Sequence, residues 1–114
     1  MLNMATYLLN WNPRRWDWFE LEEEIFELRK KGWLEARWSC GVTKRILPGD
    51  RFFLIRLGMP PKGIMASGTI KSSPFVEPHW DDQLAERGKQ ALFVDVVFDS
   101  LLNPDIEQIL GLRA

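Results

Sequence analysis

The chain is short of the residues from which most enzymes build their chemistry. Among 114 residues it holds one cysteine, Cys40, and one histidine, His79. A single cysteine excludes an internal disulfide, and one cysteine with one histidine makes no four-ligand structural zinc site without enlisting carboxylates. Long apolar runs are missing too. No stretch approaches the ~20 residues of a membrane helix, and Met1-Leu2-Asn3-Met4 lacks the cationic start and apolar core of a secretory signal. A cytoplasmic protein without membrane attachment is therefore expected. Gly-rich phosphate loops, a G-x-S-x-G elbow, internal repeats and low-complexity segments are all absent from the sequence.

Net charge is scarce as well. Fifteen bases and sixteen acids leave −1, which does not suit a protein that coats nucleic acid indiscriminately. The distribution is uneven, however. Residues 17–31 carry six acids and three bases, so the rest of the chain holds a surplus of two positive charges. An acidic helix turned away from a mildly basic face is compatible with a nucleic-acid ligand without demanding one.

What the chain does have is tryptophan, six in all, and one dense stretch, Arg37-Trp38-Ser39-Cys40-Gly41-Val42-Thr43-Lys44-Arg45. These residues suit a base-reading loop. An indole face stacks on any nucleobase, Ser39 and Cys40 bring short polar groups to its edge, Gly41 permits close backbone approach, and Lys44 with Arg45 can hold a phosphate. They also suit a plain structural role: Trp38 ending a strand in the core, Ser-Cys-Gly a turn, Lys-Arg a solvated patch. Composition alone leaves both open.

The rest of the chain supplies a scaffold. Residues 6–10 are β-rich and stopped by Asn12-Pro13, a first strand that delivers Trp11 and Asn12 to a loop. Asp17 and Glu20 have capping-box spacing, and Trp18, Leu21, Ile25 and Leu28 share a helical face. Glutamates early, Arg29-Lys30-Lys31 late and Gly32 beyond agree with the helix dipole and a C-terminal glycine stop. Residues 33–38 alternate as a second strand, 42–47 form a helical turn, and Leu47-Pro48-Gly49-Asp50 is a turn. Residues 51–57 and 63–71 read as an antiparallel pair. The first is apolar enough for burial on both faces, and Gly68 in the second marks a bulge or bend. Residues 72–90 read as a long loop, 91–98 as a strong strand interrupted by Asp95, and Asn103-Pro104 as the start of a final helix with Ile106, Ile109 and Leu110 inward. The expected product is one α+β domain, a small curled mixed barrel with helices outside.

Catalytic sets are thin. His79 beside Pro78 reads as a loop surface residue, Cys40 would be a nucleophile only if His79 met it in space, and Asp81 with Asp82 lack the further acids of a metal nuclease. An enzyme with His79, Asp81 and Asp82 at its site is the weakest of three readings; no catalytic residue, metal or cofactor is expected.

Several pieces in order resemble the EVE domains of the PUA-like superfamily, related to the YTH domains, and especially those at the N-terminus of modification-dependent restriction endonucleases. They are Tyr7-Leu8-Leu9-Asn10-Trp11-Asn12-Pro13 with Trp16 and Trp18, then Trp38-Ser39-Cys40-Gly41, Gly49-Asp50-Arg51-Phe52-Phe53-Leu54, Gly63-Ile64-Met65-Ala66-Ser67-Gly68, His79-Trp80-Asp81 and Val94-Asp95-Val96-Val97-Phe98. The resemblance implies a PUA-like curled mixed β-barrel with two or three flanking helices over residues 1–114. It also implies a modified base held in an aromatic cage, and a nuclease domain or subunit in the parent protein, of which this chain would be a fragment.

Carried onto this sequence, Trp38 matches a cage wall, Ser39, Cys40 and Gly41 the base-edge contacts, Asn12 with Trp11 a polar and an aromatic pocket residue, and Trp80 with Asp81 a further cage element. Lys44 and Arg45 match phosphate contacts, joined by Arg14, Arg15 and Lys71 as further cations along a nucleic-acid backbone. The implied function is a reader that flips 5-methylcytosine or 5-hydroxymethylcytosine out of double-stranded DNA and serves as the specificity domain in restriction. An RNA-binding module reading a modified or unpaired base is the alternative.

Overall fold

One sheet runs through the molecule, and its curl comes from a few residues that let strands bend or approach. The computed structural model describes residues 5–111; residues 1–4, where a signal was sought, and the last three lie outside them. In chain order the elements are β1 (Thr6–Trp11), α1 (Leu21–Lys31), β2 (Leu34–Gly41), β3 (Arg51–Arg56), β4 (Gly63–Ile70), β5 (Phe75–Pro78), α2 (Asp82–Glu86), β6 (Gln90–Leu101) and β7 (Leu110–Gly111). The sheet order is β1-β3-β4-β6-β2, with β5 added to β6 and β7 to β4. β1 and β3 are parallel, and the other pairs are antiparallel.

Gly68 shows why the sheet bends where it does. The register between β4 and β6 slips between Ser67 and Gly68, so that Asp99 has no partner across the ladder. A side chain at Gly68 would meet the Val97 carbonyl and the Phe52 ring, so only glycine lets the strands pass this closely. The freed Asp99 carboxylate accepts hydrogen bonds from Ser67 Oγ at 2.6 Å and Arg51 Nη1 at 2.7 Å. Curling brings the two edge strands together: Trp38 Nε1 on β2 donates to the Asn10 carbonyl on β1 at 3.0 Å. The result is a half-closed mixed barrel, α+β in class, filled by Phe52, Leu54, Met65, Ile70, Val94, Val96, Phe98 and Leu101.

α1 covers the barrel with Leu21, Ile25 and Leu28, and Gly32 ends it in a left-handed conformation (φ 90°), its N–H on the Leu28 carbonyl. Its start departs from expectation. Glu20, not Asp17, holds the N-cap position, without a side-chain cap. Trp18 instead reaches the same face from the preceding turn, its Nε1 donating to Glu24 Oε2 at 2.6 Å.

Four further expectations are corrected. β3 alternates rather than being buried on both faces: Phe52, Leu54 and Arg56 are buried while Phe53 stays partly exposed beside Leu8 of β1. Residues 42–47 are irregular rather than helical. The segment 72–90 is not one long loop, because β5 pairs with the far half of β6 and α2 follows it. Finally, no helix follows Asn103 among the described residues. Its Oδ1 accepts from the Asp105 N–H at 3.0 Å and its own N–H is taken by Glu107 Oε1, which makes a compact turn. Ile106 is 75% exposed rather than inward. The chain then runs extended as β7 against Gly63, where any side chain would strike the Leu110 carbonyl.

A candidate base-binding cleft at the seam of β1 and β2

The seam between the two edge strands closes at Trp38 and gapes beyond it. There lies a cleft of about 740 Å³, within the usual range for small-molecule sites. β1 contributes residues from Leu8 to Trp11, and β2 with its exit contributes Arg37 to Thr43. Asn12, Arg15, Trp16, Leu57, Trp80 and Phe93 complete the lining.

Its floor is made by Trp11 and Trp38, backed by Trp18, which does not itself line the cleft. Trp18 sits 4.8 Å from Trp38 and 5.4 Å from Trp11, centroid to centroid, the latter edge-on. Trp16 lies 5.5 Å from Trp38, edge to face, and Phe98 carries the stack down into the barrel core. Such edge and tilted contacts follow from the ring quadrupole. The indole N–H groups are occupied within the protein: Trp11 Nε1 donates to the Trp16 carbonyl at 2.9 Å, Trp38 Nε1 to Asn10 and Trp18 Nε1 to Glu24. Beneath Trp11 lies the buried guanidinium of Arg56, 5.6 Å from the ring, with Nη1 on Asp105 Oδ1 at 2.9 Å.

Of the residues singled out from sequence, the cleft gathers Trp11, Asn12, Trp38, Ser39, Cys40, Gly41 and Trp80, and with them Arg15. Trp38 to Gly41 do not lie on a loop, as the dense Arg37–Arg45 stretch suggested; β2 extends through Gly41 opposite β6, with a register slip that leaves Cys40 without a ladder partner. Trp38 is 8% exposed and packed in the core, and it also lines the cleft. Cys40 is buried, its thiol donates to the Thr43 carbonyl at 3.6 Å, and burial pushes its pKa up. A thiol held protonated is a poor nucleophile. Asn12 Oδ1 accepts from the Arg14 N–H at 3.0 Å, and its carbonyl takes the Arg15 and Trp16 N–H groups, which sets the turn that carries Trp16 over the floor.

Asp81 is not among the lining residues. Its carboxylate caps α2 by accepting from the Gln83 and Leu84 N–H groups at 3.0 and 3.4 Å. His79 Nδ1 accepts from the Asp81 N–H, and the His79 ring packs 4.8 Å from Trp80. Among the described residues no three His, Cys, Asp or Glu side chains come together as metal ligands.

The cations divide. Arg15 lies over the Trp80 ring at 5.5 Å. Arg14 Nε donates to the Gly58 carbonyl at 2.7 Å. Lys44 and Arg45 are exposed and follow directly on the cleft residue Thr43. Lys71 is elsewhere, in a second depression of about 560 Å³ shared with Glu35 and Asp95. Arg37 is tied down by Asp95 at 3.3 Å and Glu77 at 3.7 Å.

Sequence reasoning did not assign Trp16 to the site. The signal was the five-residue step from Trp11 across Asn12-Pro13, which turns the chain back on itself. Leu8, Asn10, Leu57, Val42 and Phe93 were also unassigned; Leu57 and Phe93 join the cleft only through long-range pairing of β1 with β3 and β2 with β6.

No family model matches the chain, and no curated protein matches it either. Solved structures do resemble it. Protein PSPTO5229 from Pseudomonas syringae is 23% identical over 92% of this chain and 72% of its own, with a TM-score of 0.52. A hypothetical protein from Leishmania major is 15% identical over 96% of this chain and 71% of its own, with a TM-score of 0.56. At these identities the likeness establishes the fold: a small curled mixed sheet flanked by helices, shared by bacterial and protozoan proteins.

Proposed function

We propose that the chain is an EVE-like domain of the PUA-like superfamily that reads a substituted cytosine, 5-methylcytosine or 5-hydroxymethylcytosine, by drawing it out of duplex DNA into the cleft between β1 and β2. One observation carries this reading. Trp16, Trp38 and Trp80 line a single cleft together with Asn12 and the small residues Ser39, Cys40 and Gly41, with Arg15 inside it and Lys44 and Arg45 directly beyond.

The chemistry is that of recognition. A base inside a duplex hides its edge, and extruding it costs a few kcal/mol. Stacking on indoles returns ~1–3 kcal/mol per base, and edge hydrogen bonds from Asn12 and Ser39 add direction. A substituent at the 5-position adds ~1–3 kcal/mol of discrimination through fit. Arg14, Arg15, Lys44 and Arg45 hold phosphates and contribute affinity without sequence. Lys71 lies in its separate depression. Cleavage in restriction then falls to a nuclease domain or subunit of the parent protein.

The test is a competition by fluorescence anisotropy among a duplex with one central 5-methylcytosine or 5-hydroxymethylcytosine, its plain counterpart and a single-stranded RNA. A modified duplex is expected to win by about tenfold or more. In Lys44→Ala/Arg45→Ala, both duplexes should weaken equally, and the slope of log K against log salt should flatten by up to ~2. Preference for RNA would replace this reading with the RNA-binding one. Metal-dependent nicking by the chain alone would end the assignment as a reader.

A further inference from the structure

The turn that ends β2 holds an aliphatic side chain out into solvent at the mouth of the cleft. The Thr43 N–H closes on the Cys40 carbonyl at 3.2 Å, and the Cys40 thiol closes on the Thr43 carbonyl at 3.6 Å. Gly41 has φ +63°, while no non-glycine residue among those described has positive φ. Those signs match a II′ turn, with Gly41 at its first corner and Val42 at its second. Val42 is 90% exposed, the most open of the large apolar side chains described, yet it lines the cleft.

Single exposed aliphatics are common on protein surfaces. Val42 differs in three ways: its turn is fixed by two hydrogen bonds, it stands at the entrance to an aromatic-floored cleft, and exposed Lys44 and Arg45 follow within three residues. A duplex that gives up a base leaves a gap in its stack. An apolar side chain set in that gap slows the base's return, and proteins that unstack DNA use apolar wedges in this way.

We propose that Val42 is the wedge that enters the duplex stack when the target base leaves it, a role that rests on the base-reading function above. The cleft then recognises the base while the turn keeps the gap open, and the two duties are separable. Val42 contacts are needed only where a stack must be broken. A single strand holds no such stack against its partner, so there the cleft alone decides affinity.

The experiment uses the wild-type chain and Val42→Ser, which keeps the turn and removes the apolar tip. Each is titrated with a paired duplex carrying one central 5-methylcytosine, with the same modified strand alone, and with plain versions of both. Val42→Ser is expected to weaken about tenfold on the paired modified duplex, as part of the unstacking cost goes unrecovered, and to bind the modified single strand as wild type does. A 2-aminopurine beside the target should brighten with wild type and less with the variant. Equal affinity of the two proteins for the paired duplex, or an equal loss on duplex and single strand, overturns the wedge while leaving the cleft's role intact. Wild type that shows no preference for modification on either substrate overturns the base-reading function, and the wedge with it.

Discussion

The floor and the rim of the cleft are both rich in tryptophan, yet they are built differently. Trp11, Trp18 and Trp38 are buried, have their N–H groups taken up inside the protein, and connect through Phe98 to the barrel core. Trp16 is 37% exposed and Trp80 is half-buried, held by Arg15 on one face and His79 beside it. An aromatic that lines a cleft is thus not by itself a recognition residue. Its remaining contacts decide whether truncation registers first in stability or in binding.

The largest expected effect lies on the floor. Trp38→Ala removes a ring packed on Trp16, Trp18 and Phe98 and the bond that joins β2 to β1 at Asn10. A cavity of that kind costs ~3–5 kcal/mol, a large part of the ~5–15 kcal/mol that holds a domain together. Urea unfolding should show the midpoint collapse, and the seam that forms the cleft should open with it. A variant that keeps wild-type stability would show that the floor is recognition surface alone, and would erase the distinction between floor and rim.

The rim should give the opposite outcome. Trp80→Ala removes a ring that no buried aromatic supports, so the unfolding midpoint should move little. Affinity for a modified duplex should drop by roughly ten- to a hundredfold, the loss typical of one base-stacking aromatic. If Trp80→Ala unfolds the chain, or leaves both stability and the preference for modified DNA untouched, then Trp80 belongs to neither class and Trp16 is the rim aromatic to replace.

What was legible in the sequence follows the same division. Local patterns carried through. The α1 face of Leu21, Ile25 and Leu28, its Gly32 stop, the Pro48-Gly49 turn and the bend at Gly68 each depend on a few neighbouring residues, and each is present. Four of the cleft residues, Trp38, Ser39, Cys40 and Gly41, were named because a Trp-Ser-Cys-Gly run is conspicuous. The failures came where distant chain decides. Asn103-Pro104 opens a helix or a tight turn equally well, and Glu107 with the narrow passage at Gly63 selected the turn. The 72–90 segment lacks a strong period, and β5 exists because β6 runs on past β4 and offers it an edge. Asp81 looked like a pocket acid, but two α2 N–H groups need its carboxylate. Trp16 reaches the rim through a turn whose closing bonds come from the backbone, which no residue pattern spells out.

The smallest expected effect tests how the floor is held from below. Burial raises the pKa of Glu24 above its ordinary 4.5, and the hydrogen bond from Trp18 offsets this only in part. An acid whose pKa is higher folded than unfolded is penalised while ionised, so its share of stability rises as pH falls through the folded value towards 4.5. Asp99 and Glu107 act in the opposite sense. Burial lifts Asp99, but Arg51 and Ser67 together outweigh it and hold the carboxyl low; the Asn103 N–H, then Arg29, hold Glu107 low. Their stability is present above the ordinary carboxylate range and is lost as pH falls through their depressed values. Glu24→Gln keeps an oxygen for the Trp18 N–H and removes the titration. Between neutral pH and the ordinary carboxylate range, wild type should therefore gain stability relative to Glu24→Gln as pH falls, while further acidification destabilises both as Asp99 and Glu107 protonate. Unfolding midpoints at closely spaced pH values measure this directly. A difference between the two proteins that stays flat with pH would mean that Glu24 is as well solvated as a surface acid, and that the Trp18 side of the floor is open to water.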